Sequence, residues 1–201
     1  MKILLLNGPP RSGKDTIGEI VKQLYPYQST ILEKFAKSVK EGTHGMLGIF
    51  KEESVEEANA FESWKDEPRP EFFGLTPRQA YIWYSEEVMK PKFGNDIFGR
   101  LTTERITRRH AERRDIKRVV ITDSGFPEEA LCIRDRFGAH NVVLVHLYRE
   151  GCSFENDSRN YIEIPGVRPL KFRNPSPVND PDNSISDLTV EVLREICPLI
   201  T

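Results

Sequence analysis

The apolar run Ile3-Leu4-Leu5-Leu6 passes almost directly into Gly8-Pro9-Pro10-Arg11-Ser12-Gly13-Lys14-Asp15-Thr16, and no other segment of the chain restricts the fold as tightly. A short, uninterrupted apolar run bounded by a glycine turn reads as a strand buried on both faces. Behind the turn, Ile17, Ile20, Val21 and Leu24 recur at helical spacing until Pro26 stops the pattern. Gly8, Gly13 and Lys14 fit Gly-x4-Gly-Lys, the spacing of a phosphate-binding loop set between a strand and a helix. Such a loop works because its glycines let consecutive backbone N–H groups turn inward around phosphate oxygens, at the positive end of the following helix. Lys14 then reaches the β and γ oxygens of a nucleoside triphosphate, and Gly8, Arg11, Ser12 and Gly13 line the cradle. One residue departs from the common pattern: Asp15 stands where Ser or Thr usually follows the lysine, and the hydroxyl comes one place later at Thr16. A carboxylate aimed at polyphosphate would be repelled, so Asp15 is expected to turn toward its helix or toward water bound to Mg2+, with Thr16 as the hydroxyl nearest the metal.

The rest of the chain reads as strands alternating with helices. A second strand is expected over 29–35, helices over 36–47, 76–89, 96–113 and 126–137, strands over 119–121 and 141–147, and a tail helix over 186–196. Thr76-Pro77-Arg78-Gln79 is a helix start in itself, because Thr76 can cap, Pro77 suits the first helical position and Gln79 can reach back to the cap. The acidic, aromatic segment 51–74 reads as a helix followed by a surface loop. From Arg149 to Asp182 the chain turns to Gly, Pro, Asn and Ser with spaced basic residues, a length more typical of a lid than of an ordinary connection. Strand and helix alternation implies an α/β fold, a parallel sheet with helices on both faces.

A length of 201 residues suits one domain with a sizeable core. The net charge is only −2, so no global field draws nucleic acid or an acidic membrane, and anion binding must be local. Cys132, Cys152 and Cys197 are odd in number and widely spaced, which argues against a disulfide framework or a zinc site and suits a reducing cytoplasm. No stretch approaches the roughly 20 apolar residues of a membrane helix, and the first apolar run is too short for a signal-peptide core.

Phosphoryl transfer needs positive groups along the path of the moving group, a bound Mg2+ and exclusion of water. Arg11 sits inside the loop, where it either touches phosphate or stays solvated. Asp123 closes the apolar run Val119-Val120-Ile121; it orients Mg2+ or its water, or caps the helix that starts near Phe126. In the lid segment, Arg149 and Arg159 are the arginines expected to close over phosphate. The arginines between Arg100 and Arg118 are interleaved with Glu104, Glu112 and Asp115, and read as a solvated, salt-bridged helix face rather than a nucleic-acid patch.

Arg11-Ser12-Gly13-Lys14-Asp15-Thr16, Leu75-Thr76-Pro77-Arg78-Gln79 and Asp123-Ser124-Gly125-Phe126-Pro127, taken in order, resemble the corresponding segments of the phage-type deoxynucleoside monophosphate kinases, a branch of the P-loop nucleoside monophosphate kinases. The resemblance covers residues 3 to about 150 and the tail helix. It implies a three-layer P-loop fold with a core over about 1–35, 115–150 and 183–201, a helical monophosphate-binding insertion over about 36–114 and a lid over about 150–182. It further implies ATP and Mg2+ as cofactors, with Thr16, Asp15 and Asp123 around the metal. Lys37, Arg78, Gln79 and Arg100 are then the candidates to hold a nucleoside monophosphate, Lys14, Arg11, Asp123, Arg149 and Arg159 the catalytic set, and the setting a bacterial or phage-infected cytoplasm. A homodimer is compatible with it; a nucleic acid polymer or a membrane partner is not expected. The loop alone also suits a kinase for another small metabolite, or a P-loop ATPase acting as a switch.

Overall fold

Strand β1 (Lys2–Asn7) lies at the middle of a five-stranded sheet whose other members are β2 (Thr30–Glu33), β3 (Arg118–Ile121), β4 (Val142–Tyr148) and β5 (Leu170–Arg173). The order is β2-β3-β1-β4-β5 and every pairing is parallel. The structure is a computed structural model, and it describes residues 1–25, 29–49, 64–155, 157–176 and 185–201. Most of the helix and loop expected over 51–74 therefore lies outside the described residues.

Alternation along β1 builds two cores. Ile3 and Leu5 point to one face, where Val119, Ile121 and Leu144 join Ile106 of helix α5 (Ile97–Glu112) and Ala130 and Ile133 of helix α6 (Pro127–Phe137). Leu4 and Leu6 point to the other, against Ile17, Ile20 and Val21 of helix α1 (Lys14–Leu24) and Leu188, Val192, Ile196 and Ile200 of the C-terminal helical run. That run comprises α7 (Ile185–Glu191), a π-helical turn (Val192–Ile196) and α8 (Cys197–Ile200). With helices on both sides, the central strands are apolar on both faces, as the first run predicts. Because β1 is flanked by β3 on one side and β4 on the other, the connections diverge at its C-terminal end, the place where open α/β sheets leave a crevice.

By their contacts the described residues divide into two compact units, Met1–Phe35 with Gly99–Thr201, and Ala36–Phe98. The second unit contains α2 (Ala36–Leu47), a 3-10 turn (Pro70–Phe72), α3 (Pro77–Trp83), a π-helical turn (Tyr84–Met89) and α4 (Lys90–Phe93). Its small core is Phe72 and Ala80 with Leu47, Ile49 and Tyr81. The start of α3 carries a full capping box: Thr76 Oγ1 accepts from the Gln79 amide and the Gln79 side chain accepts from the Thr76 amide. Helix continues past the expected end at Met89 to Phe93. Pro91 is accommodated because the preceding turn widens, and the same arrangement precedes Pro198.

Two expectations are corrected. The segment 149–182 is not a connection without a strand: Leu170–Arg173 pairs with β4, and Ile162, Ile164 and Val167 enter the core with α6. As an edge strand it buries Phe172 and exposes Lys171 and Arg173, so its alternation is too short to stand out from the basic loop around it. Helix α5 is not a merely solvated face either. From Gly99 on it groups with the sheet unit, ending the second unit at Phe98 rather than near 114, because Ile106 packs into the core and Arg105 and Arg109 turn inward to Glu33. Glu33 is fully buried and accepts from Arg105 Nε at 2.8 Å and Arg109 Nη1 at 2.7 Å. Among the described residues no helix is long and apolar enough to cross a membrane.

Candidate active site

The glycine loop leaves β1 at Asn7, whose own side chain ties three segments together. Buried Asn7 donates from Nδ2 to the carbonyls of Ser124 (2.9 Å) and Asn160 (3.1 Å) and accepts from the Ile162 amide (3.0 Å). Gly8 is packed so closely that a Cβ would come within 2.9 Å of Leu147 and 2.8 Å of Ser12 Oγ. Gly13, with φ of 100°, takes the left-handed conformation at the cap of α1, and a Cβ there would meet Asn174 Nδ2 at 2.8 Å. Both glycines are thus required by position, one by space and the other by space and backbone together. Arg11 is exposed and also left-handed, with φ of 64°, the kind of backbone outlier that concentrates at ligand sites.

The loop is braced from its far side. Arg149, expected to close over phosphate, donates from Nη1 to the Arg11 carbonyl (2.9 Å) and from Nε to the Ser176 carbonyl (2.8 Å). Asn174, just beyond β5, donates to the Ser12 carbonyl (3.1 Å) and accepts from the Ser176 amide (3.2 Å), while its own amide donates to Tyr148. Two loop carbonyls are therefore held outward by side chains that follow β4 and β5.

Lys14 opens α1 and folds back into the loop, its Nζ donating to the carbonyls of Gly8 (2.6 Å) and Pro9 (2.7 Å), with Ser12 Oγ at 3.5 Å. Burial and the neighbouring Arg159 guanidinium push the ammonium down to about 8, against the pull of Asp15, Asp157 and Asp123. Asp15 is turned to the end of β3, where Oδ1 accepts from Thr122 Oγ1 (2.6 Å) and meets Lys34 Nζ (2.8 Å). Burial raises this carboxyl, but the Lys34 ammonium and the Thr122 hydroxyl more than offset it, so it lies below its ordinary value. Thr16 is exposed on the first turn of α1.

Asp123 is half-buried and accepts from the Phe35 amide at 2.9 Å, which ties the end of β3 to the end of β2. The residue at the cap of α6 is Phe126, and no side chain of its own serves the cap. Arg159 forms a two-pronged pair with Asp157, Nε to Oδ1 at 2.9 Å and Nη2 to Oδ2 at 2.6 Å. Asp157 outweighs burial in keeping this guanidinium charged, and Asp123 and Glu129 add to it.

The structure thus gathers Lys14, Asp15, Asp123 and Arg159 around one end of the sheet unit. Lys37, Arg78 and Gln79 belong to the second unit: Lys37 lies 4.0 Å from Glu41, Arg78 pairs with Asp66 through Nε at 2.5 Å, and Gln79 serves the cap of α3. Arg100 is exposed on α5 in the sheet unit. Asn7, Lys34, Asp157 and Asn174 join these residues through contacts that their positions in the chain do not announce. The signal available for them was slight: a polar residue at each strand end, and an acid two places before Arg159. No protein-family model matches the chain, and no curated protein is significantly similar to it.

Proposed function

We propose that this chain transfers the γ-phosphoryl group of ATP to a (deoxy)nucleoside 5′-monophosphate, giving the diphosphate and ADP. The observation that carries the reading is the glycine loop itself: a left-handed Gly13 at the cap of an 11-residue helix, with the ammonium of Lys14 folded onto the loop carbonyls. A helix start and a lysine so placed form an anion site of the kind that cradles polyphosphate. Arriving phosphate oxygens would replace the Gly8 and Pro9 carbonyls as partners of Lys14. Arg159 supplies the second positive group, suited to charge that spreads over the equatorial oxygens of the moving phosphoryl.

The donor set fits Mg2+. Thr16 and Asp123 offer hard oxygens, and Mg2+ takes one or two protein donors while keeping water and phosphate oxygens. When bound, the ion would neutralise charge on the phosphates. Asp15 already holds Thr122 and Lys34, which fixes the first turn of α1 to the end of β3. For the acceptor, the support is the order of segments Thr76–Gln79 and Asp123–Pro127 noted in the sequence, with Arg78 and Lys37 of the second unit as candidate donors to its phosphate. ATP consumption measured with each of the four deoxynucleoside monophosphates tests the reading. Stimulation by at least one supports it; ATP hydrolysis indifferent to all four points instead to an ATPase without an acceptor.

A further inference from the structure

Arg159 comes from a segment with little regular structure of its own, tied to the end of β1 where the Asn160 carbonyl accepts from Asn7, so something must hold its side chain in place. Asp157 does so with both carboxylate oxygens, and Oδ1 also accepts from the Arg159 amide at 2.9 Å, closing the two residues into one small unit. The pair is largely withdrawn from solvent, with side chains 29% and 14% exposed for Arg159 and Asp157. The stem of Arg159 lies across Gly125, where a Cβ would come within 2.3 Å of its Cδ and 2.7 Å of its Cγ. A two-pronged pair fixes the plane of a guanidinium as well as its place.

We propose that Asp157 is a positioning residue that keeps Arg159 seated on Gly125, at the strand ends where Asn7 joins the Ser124 and Asn160 carbonyls just before the glycine loop, so that the guanidinium is in place before a triphosphate enters; this rests on the phosphoryl-transfer reading above. Two cations in one half-buried spot repel each other. The charges that act on Lys14 are Arg159, Asp15, Asp157 and Asp123, and those that act on Arg159 are Asp157, Asp123 and Glu129. Of these carboxylates, Asp15 is engaged by Lys34 and Thr122, and Asp123 by the Phe35 amide. Asp157 is the acid that forms the two-pronged contact with Arg159 and also acts on Lys14. Arg159, with its stem seated on Gly125, is then oriented at no cost during the reaction, which is how fixed charge is most effective in a transition state.

The test uses the full chain with Asp157→Asn, Asp157→Glu, Arg159→Gln and the Asp157→Asn/Arg159→Gln pair. Two quantities are read, kcat and KM for ATP, because a positioning role moves the first and spares the second. Asp157→Asn is expected to lower kcat roughly 10- to 100-fold, the scale of a misplaced catalytic group, while KM changes little. Asp157→Glu should recover most of the loss. The double variant should be no slower than Arg159→Gln alone, because Asp157 acts through the arginine. Parental kcat in Asp157→Asn, no recovery in Asp157→Glu, or a further loss in the double variant overturns the proposal while leaving the kinase reading intact. A parent protein that transfers phosphate to no nucleotide overturns both.

Discussion

Raising the pH from about 7 to about 9.5 should loosen nucleotide binding through one side chain, Lys14. Its ammonium, pushed down to about 8 by burial and by Arg159, is the form that attracts phosphate. In the free protein it is nearly all charged at about pH 7, roughly one-tenth charged at about pH 9 and roughly one-thirtieth at about pH 9.5. Bound polyphosphate holds the proton on, so binding above about pH 8 must first restore it. Affinity for ATP should therefore fall about 10-fold by about pH 9 and about 30-fold by about pH 9.5, or about 1.4 and about 2 kcal/mol. Arg159, held charged by Asp157, keeps its charge throughout this window and contributes no slope. Calorimetric titration in two buffers of different ionisation enthalpy reads both the affinity and the proton taken up. Lys14→Gln should bind more weakly at every pH and lose the slope. A flat affinity from about pH 7 to about 9.5, or the same slope in Lys14→Gln, refutes the reasoning.

Other outcomes follow from the packing around the site. Glu33→Ala leaves the Arg105 guanidinium, only 11% exposed, without its buried partner, and should cost about 3–5 kcal/mol in urea denaturation. Arg109→Ala removes a side chain that is 41% exposed and should cost under about 1 kcal/mol; equal losses for the two would mean that the ion cluster is not buried as described. Gly13→Ala forces a side chain into left-handed backbone and against Asn174 Nδ2, for a loss of about 2–3 kcal/mol and a drop in Tm of roughly 5–10 °C by calorimetry. An unchanged Tm would show that the loop can relax around the new methyl group.

What the sequence makes legible here is what local patterning controls. Ile3–Leu6, the glycine loop and the apolar stripe of α1 lie next to one another in the chain, and each is set by spacing, so the central strand, its loop and its helix can be read directly. The edge strand β5 escapes because Phe172 is its one fully buried side chain and the residues on either side of it are basic. Glu33 escapes for a different reason. Its partners stand 72 and 76 residues away, so a burial that turns two arginines inward cannot be seen in the composition of α5. Arg159 was legible as a basic residue in a long segment. Its place was not, since it depends on Gly125 and Lys14, which come from other strand ends. Arg149 is legible as a basic residue too, but its support of the loop backbone through the Arg11 carbonyl is not, since that contact spans 138 residues. Residues that brace a site look in sequence like residues that act in it, because both must be polar and both stand at strand ends.

Everything proposed for the site depends on transfer of a γ-phosphoryl group from a donor in the glycine loop to a monophosphate. That transfer is tested most directly by incubating the protein with Mg2+ and γ-labelled ATP in the presence of each deoxynucleoside monophosphate, and separating the nucleotide products. Label is expected in at least one deoxynucleoside diphosphate, with a loss of at least about a hundredfold in Lys14→Ala protein that remains folded by circular dichroism. Label that reaches no diphosphate, or full transfer by Lys14→Ala, would contradict it.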